Sequence, residues 1–347
     1  MELTNVTTGI FLGILAGILL GSFALPMKKV KIWQWEHSWV MFSFWATIVF
    51  PLLMALLTIP NLFAVFTQTP TAVILAVFIF GAGWGVANVG YGIGLKMVGL
   101  AMGTAIVLGL NNAIGAILPI FLYTPEKLLQ PVGIALSAAV LVMISGIVVL
   151  AIAGMKREKA MAIDSGKNDP IPEKSQFLKG FLICLVAGVF GAMFNFALIN
   201  GKSMETVAIG LGATPINAAN PTWVIALSGG FVVTLAYCLY LFKTNKNSAL
   251  FFASGTRTNW IFTLLMGFMW YGGVAIYGMS VSKLGALGAS IGWPIIQSMA
   301  VGSGNFWGII TGEWKGSGKS AISYMAIGLA LLFVGIVIVG YSATLNL

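Results

Sequence analysis

Residues 80–99, FGAGWGVANVGYGIGLKMVG, return as MGFMWYGGVAIYGMSVSKLG at residues 266–285. At a constant offset of 186, Gly81, Trp84, Tyr91, Gly92 and Gly99 fall on Gly267, Trp270, Tyr277, Gly278 and Gly285. Both copies lie in almost wholly apolar sequence. Internal repetition of this kind is a signature of membrane carriers, in which two copies of one bundle rock about a shared central site.

The class follows from composition. With 59% hydrophobic and 8% charged residues and a mean hydropathy of +0.99, the chain has too few polar residues to cover a soluble surface of this size. A bilayer-crossing helix needs roughly 17 to 25 apolar residues. Such stretches run near residues 8–25, 38–58, 72–95, 99–122, 131–153, 177–200, 222–242, 259–281, 285–311 and 322–343. The expected fold is an all-α membrane protein of ten transmembrane helices. Span 1 has no basic leader and shares the Gly-rich character of later spans, so it reads as a retained helix and not a signal peptide.

A net charge of +9 would point to nucleic acid in a soluble protein, but here it reads as topology. The loops after spans 1, 3, 5, 7 and 9 hold fifteen of the eighteen Lys and Arg residues. The positive-inside rule therefore places those loops in the cytoplasm and both termini outside. The polar stretch from Met155 to Gln176 reads as a cytoplasmic linker. The expected units are residues 1–155, a linker at 156–176, and residues 177–347. Five spans per unit make the second enter from the opposite face, so the two would be inverted five-helix repeats. SGIVVL at 145–150 resembles VGIVIV at 334–339 with a small shift, and Ala16–Gly17 resembles Ala187–Gly188.

Residues four or seven apart share a helix face. Trp84, Asn88 and Tyr91 form one stripe; Trp270 and Tyr277 form its counterpart, with Val274 in place of the amide. On spans 4 and 9, Thr104 and Asn111 fall on Ser290 and Gln297 at the same offset of 186, the two residues of each span sitting seven apart. Aromatic rings pack on the C–H faces of a sugar while amides bond its hydroxyls, which suits a mostly apolar pocket with a few placed polar groups. The candidate substrate-binding set is Trp84, Asn88, Tyr91, Asn111, Trp270, Tyr277 and Gln297. The same aromatics could equally pack helix on helix, and the amides could serve as interhelical hydrogen bonders.

Other chemistries find little support. Gly81, Gly83 and Gly85 mimic a dinucleotide fingerprint but lie inside a span, and GSGKS at 316–320 lacks the first glycine of a phosphate loop, with Glu313 in its place. Cys184 and Cys238 show no metal or redox spacing. No cofactor, metal, nucleic-acid partner or acid/base cluster of an enzyme is expected. The nine acidic residues all fall at termini, loops or span ends, so proton coupling would rest on Glu313 or Glu36, the latter beside the sole histidine, His37. A proton-independent facilitator or exporter of another metabolite, and a non-transporting sugar sensor, remain as rivals.

Several motifs together resemble the L-rhamnose–proton symporters of the drug/metabolite transporter superfamily: ALPMKKVKIWQWE at 24–36, FGAGWGVANVGYG at 80–92 followed by MVGLAMGTAI at 97–106, GFMWY at 267–271, and Glu313–Trp314. The resemblance covers most of the chain. It implies a bacterial inner-membrane carrier that imports a deoxyhexose, L-rhamnose first, together with a proton.

Overall fold

The computed structural model describes residues 3–98, 100–165, 174–312 and 314–345. Among these, ten long helices follow one another: α1 (Leu3–Ser22), α2 (Trp35–Thr58), α3 (Thr71–Val98), α4 (Leu100–Tyr123), α5 (Pro131–Ser165), α6 (Lys174–Gly191, resumed as Met193–Asn200), α7 (Asn220–Asn245), α8 (Arg257–Leu284), α9 (Gly288–Ile310) and α10 (Gly318–Thr344). Nine apolar stretches are long enough to cross a membrane, and Arg257–Ile310 holds two of the helices, hinged at the turn Gly285–Leu287. Large side chains such as Phe11, Leu57, Leu141, Phe268 and Phe333 stand exposed on the outside of the bundle, as a lipid-facing surface requires. The chain is thus an all-α, multi-pass membrane protein.

Prolines set the irregularities. Pro51 lacks the N–H that would bond the Thr47 carbonyl, and α2 widens there into a π turn over Trp45–Val49. Pro119 in α4 and Pro294 in α9 each leave a carbonyl one turn back without its helical donor. α5 continues as helix to Ser165, well into the stretch expected to be a linker; KREKAMA at 156–162 is rich in helix formers and contains no glycine or proline. Residues 166–173 of that linker lie outside the described residues.

Helix pairing follows one pattern. α1 packs on α8 and α9, and α6 on α3 and α4; α3 packs on α7, and α8 on α2; α4 packs on α5, and α9 on α10; α5 and α10 pack on each other, as do α4 and α9. Close approach at small residues makes these crossings. A Cβ on Gly81 of α3 would overlap the Ala226 carbonyl of α7, and one on Gly267 of α8 would lie 2.6 Å from the Cβ of Trp45 in α2.

The segment ALPMKKVKIWQWE has a structural task at the end of the bundle that carries the basic loops. Asn259 of α8 donates to the Lys31 carbonyl at 2.7 Å and accepts from the Lys31 N–H at 3.3 Å. Trp33 packs edge-on against Trp260 and Phe251, at 5.3 and 5.4 Å between ring centroids. The buried Glu36 carboxylate accepts from the Asn245 and Asn247 amides at 2.8 and 2.6 Å, and the fully buried His37 ring meets the Asn247 carbonyl at 3.0 Å. The motif therefore fastens the α1–α2 connection to the α7–α8 hairpin.

The tight crossing and the open flank of α3 make different demands. Gly81→Leu should destabilise the protein by roughly 1–3 kcal/mol through overpacking, whereas Gly92→Ala, with nothing within 4 Å of the added methyl, should be neutral. Thermal unfolding in detergent compares the two.

Candidate functional site

α3, α4, α8 and α9 surround a cavity of about 250 Å³ near the middle of the bundle, completed by α1, α2 and α6. All seven residues of the expected set line it: Trp84, Asn88 and Tyr91 from α3, Asn111 from α4, Trp270 and Tyr277 from α8, and Gln297 from α9. The i, i+4, i+7 spacing puts each stripe on one helix face, and the glycine crossings behind them bring the faces together. Gly230 of α7 backs Trp84, leaving only 2.7 Å between an added Cβ and the indole.

Aromatic rings make the walls. Trp84 and Trp270 stack with centroids 5.4 Å apart and planes 30° apart. Phe194 of α6 packs against Trp84 at 5.1 Å, Trp293 at 5.8 Å and Trp270 at 6.2 Å, and stacks on the fully buried Trp223 at 4.9 Å. Both tyrosine hydroxyls are engaged within the protein, Tyr91 with the Thr104 hydroxyl at 3.0 Å and Tyr277 with the Asn195 carbonyl oxygen at 2.5 Å.

The amides are the free polar groups. The side chains of Asn88 and Gln297 make no hydrogen bond among the described residues, and the buried Asn111 Oδ1 has no partner. An unsatisfied buried amide oxygen is costly unless a ligand or water supplies a donor. The Asn111 backbone carbonyl is occupied, accepting the Trp293 indole N–H at 3.1 Å. Gly191 makes room for the amide, since a Cβ there would lie 3.0 Å from the Asn111 side-chain carbon. Among the described residues no Asp, Glu, Lys, Arg or His lines the cavity, so its chemistry suits an uncharged polyhydroxylated molecule and not an ion.

Other candidates fall elsewhere. Ser290 is buried outside the lining, and Thr104 is committed to Tyr91. Glu36 lines a separate crevice of about 220 Å³ between α2, α3 and α7, with Gln34, Tyr237 and Asn245. The two spaces lie on neighbouring faces of α3, with Asn88 and Tyr91 facing the cavity and Val89 and Gly92 the crevice. Glu313 lies outside the described residues.

Sequence reasoning did not single out Phe194, Trp293, Phe23 or Trp39, which also line the cavity. A signal for two of them was present. Extending the Ala16–Gly17 and Ala187–Gly188 correspondence at its offset of 171 lands Phe23 on Phe194.

The model of the family described as L-rhamnose-proton symport protein (RhaT) matches residues 3–344. Proteins named L-rhamnose-proton symporter from Citrobacter koseri and Escherichia coli are 28% and 29% identical over 342 residues, covering 96% of this chain and 97% of theirs. One solved crystal structure shares the fold at 16% identity, with a TM-score of 0.57 over 96% of this chain and 97% of that one. The chain belongs to the L-rhamnose-proton symport protein family of the drug/metabolite transporter superfamily, and is therefore a multi-pass carrier of the bacterial inner membrane and not an enzyme.

Proposed function

We propose that this protein imports a small neutral sugar, L-rhamnose as first choice, together with a proton, by alternating access between two inverted five-helix repeats. The observation that carries the reading is the set of three amides, Asn88, Asn111 and Gln297, whose side chains are left with unused hydrogen-bonding capacity among the described residues, in an aromatic cavity that these residues line with no acidic or basic side chain. The relatives named as L-rhamnose-proton symporters supply the choice of sugar and of coupling ion.

Paired contacts support the two-repeat reading. Exchanging helix n with helix n+5 turns the contact of Gly9 with Leu284 into that of Gly180 with Val98. It likewise turns Gly335 against Ala139 into Gly146 against Gly328, and Gly17 against Met299 into Gly188 against Leu110. The last two correspond at an offset of 189, three more than in α3 and α8, matching the extra turn Gly285–Leu287. The repeats span residues 1–155 and 177–347, joined through 156–176, and the basic loops face the cytoplasm with both termini outside.

Under this exchange each amide of the cavity faces an apolar counterpart: Asn88 with Val274, Asn111 with Ala300, and Gln297 with Leu108, all six in the lining. The walls are alike in shape and unlike in polarity. That combination lets the bundle rock about the site while the bound molecule keeps one orientation.

Proton coupling rests on Glu36, buried at the crevice on the neighbouring face of α3, or on Glu313. The absence of a carboxylate from the lining among the described residues favours the alternative, a proton-independent facilitator of another sugar or small metabolite.

Uptake of radiolabelled L-rhamnose into proteoliposomes tests both readings. An inward proton gradient should drive accumulation above equilibrium; equilibration without accumulation selects the facilitator, and no uptake removes L-rhamnose as substrate. Trp84→Ala and Gln297→Ala should each reduce uptake about ten-fold or more at normal membrane levels, from the lost stacking face and amide bond; unchanged uptake by both would move the site elsewhere. Glu36→Gln should keep equilibrative exchange and abolish gradient-driven accumulation, and persistent accumulation would shift the proton to Glu313.

A further inference from the structure

α6 breaks after Gly191, and Asn195 in its resumed segment is completely buried. It is not in the cavity lining. Its Oδ1 accepts from the Tyr277 hydroxyl of α8 at 2.5 Å, and its Nδ2 donates to the Gly115 carbonyl of α4 at 2.7 Å and the Ala289 carbonyl at the start of α9 at 3.3 Å. One side chain thus ties four helices together. The Gly115 carbonyl is available because its helical donor would be residue 119, which is proline. Alongside, the Trp293 indole bonds the Asn111 carbonyl at 3.1 Å and lies against Gly115 so closely that any Cβ there would overlap it.

These contacts cluster at one end of the cavity. They sit toward the ends of α4, α6 and α8 and the start of α9, away from the basic loops. The corresponding positions at the basic end are Ala24 for Asn195, Tyr91 for Tyr277, Thr104 for Trp293 and Gly304 for Gly115, and there the Tyr91–Thr104 bond at 3.0 Å joins only the neighbouring helices α3 and α4. Ala24 is exposed and has no side-chain polar atom, and a Cβ on Gly304 would meet only the Gly21 carbonyl, at 3.8 Å. The outer end is sealed by a layer of buried groups, Asn195, Tyr277, Trp293 and Trp223, while Phe23 and Trp39 at the basic end are half-buried.

We infer that Asn195 is the outer-gate latch: it holds the carrier closed to the outside and open toward the cytoplasm, and its bonds to α4, α8 and α9 must break for substrate to enter from outside. The inference rests on the alternating-access reading and on the positive-inside orientation, but not on the identity of the sugar. Asn195 is a positioning residue, since Tyr277 is the member of the pair that reaches the cavity. The latch need not be strong, because a carrier must leave each state at every cycle. A single buried amide–hydroxyl bond and two bonds to backbone carbonyls are of the right order.

The test uses single-cysteine reporters in the full chain, with Cys184 and Cys238 replaced by alanine. Ser290→Cys reports the outer end, labelled from outside with a membrane-impermeant maleimide in right-side-out vesicles. Ala300→Cys reports the cavity, labelled from the cytoplasmic face in inside-out vesicles. Asn195→Ala should raise outside labelling of Ser290→Cys at least about five-fold, the population shift expected on losing even one of its three buried hydrogen bonds, and lower cytoplasmic labelling of Ala300→Cys. Opposed changes separate a gate from general loosening, which would raise both. Tyr277→Phe removes only the hydroxyl and carries the same expectation where Asn195→Ala fails to accumulate in the membrane. Unchanged labelling, or a rise at both reporters, overturns the latch. Loss of L-rhamnose uptake by the unmodified carrier, with the labelling shift intact, would strike the substrate and leave the latch standing.

Discussion

The approach of backbone to backbone at glycine is the constraint on which this molecule depends. In a bilayer, helices gain little from burying apolar surface against each other, because lipid tails offer the same surroundings, so packing contacts and small residues must hold the bundle together. Gly81 against Ala226 and Gly267 against Trp45 bring α3 onto α7 and α8 onto α2 with no room for a side chain between them. Trp84 and Trp270 lie one turn beyond those crossings, where they stack on each other across the cavity. The glycines therefore fix where the two indoles stand. The aromatic site is a product of the packing rule.

Polarity is then placed against that frame. A cavity shaped by paired helices would present equal walls if the halves were equal in sequence, and such walls would bind a small asymmetric molecule in two orientations. Under the proposed repeat, Asn88, Asn111 and Gln297 each correspond to an apolar residue of the same lining, so the hydrogen-bonding capacity would be distributed unequally over two walls of similar shape. Each amide contributes on the order of 1 kcal/mol or less when paired, and more in discrimination, because a ligand that leaves one unpaired in a dry site bears the desolvation of that group.

Much of this was legible in the chain. The ten spans follow from hydropathy alone, and the offset of 186 with helical periodicity sufficed to bring seven residues into one cavity, because four- and seven-residue spacing defines a face wherever the helix remains regular. What stayed hidden lies where regularity fails. Asn195 belongs to no stripe, since it follows a break in α6 and bonds a carbonyl released by a proline in another helix. Under the proposed exchange spans 4 and 9 correspond at 189 and not 186, so setting Asn111 on Gln297 at 186 would join two residues of the same cavity that are not each other's counterparts. The helical continuation of α5 to Ser165 was missed because charge suggested a linker, while charged residues with long unbranched side chains are also good helix formers.

The separation between Glu36 and the cavity bears on how a proton and a sugar could share one carrier. Two ligands need not touch to be coupled; each must only bind one of two states better than the other. Glu36 sits in the segment that fastens the α1–α2 connection to the α7–α8 hairpin, where its carboxylate accepts from both Asn245 and Asn247. Under the proposed mechanism, protonation would weaken that acceptor and loosen the fastening at the cytoplasmic end, while the Asn195 bonds govern the outer end. The sugar, packed beside the stacked Trp84 and Trp270 on helices that the proposed repeat assigns to different halves, would favour the state in which both walls close on it. Coupling would then arise from competition between two ends of a rigid bundle for one rocking motion, which explains how a carrier could move a neutral molecule with a proton although no acidic or basic side chain among the described residues lines the cavity.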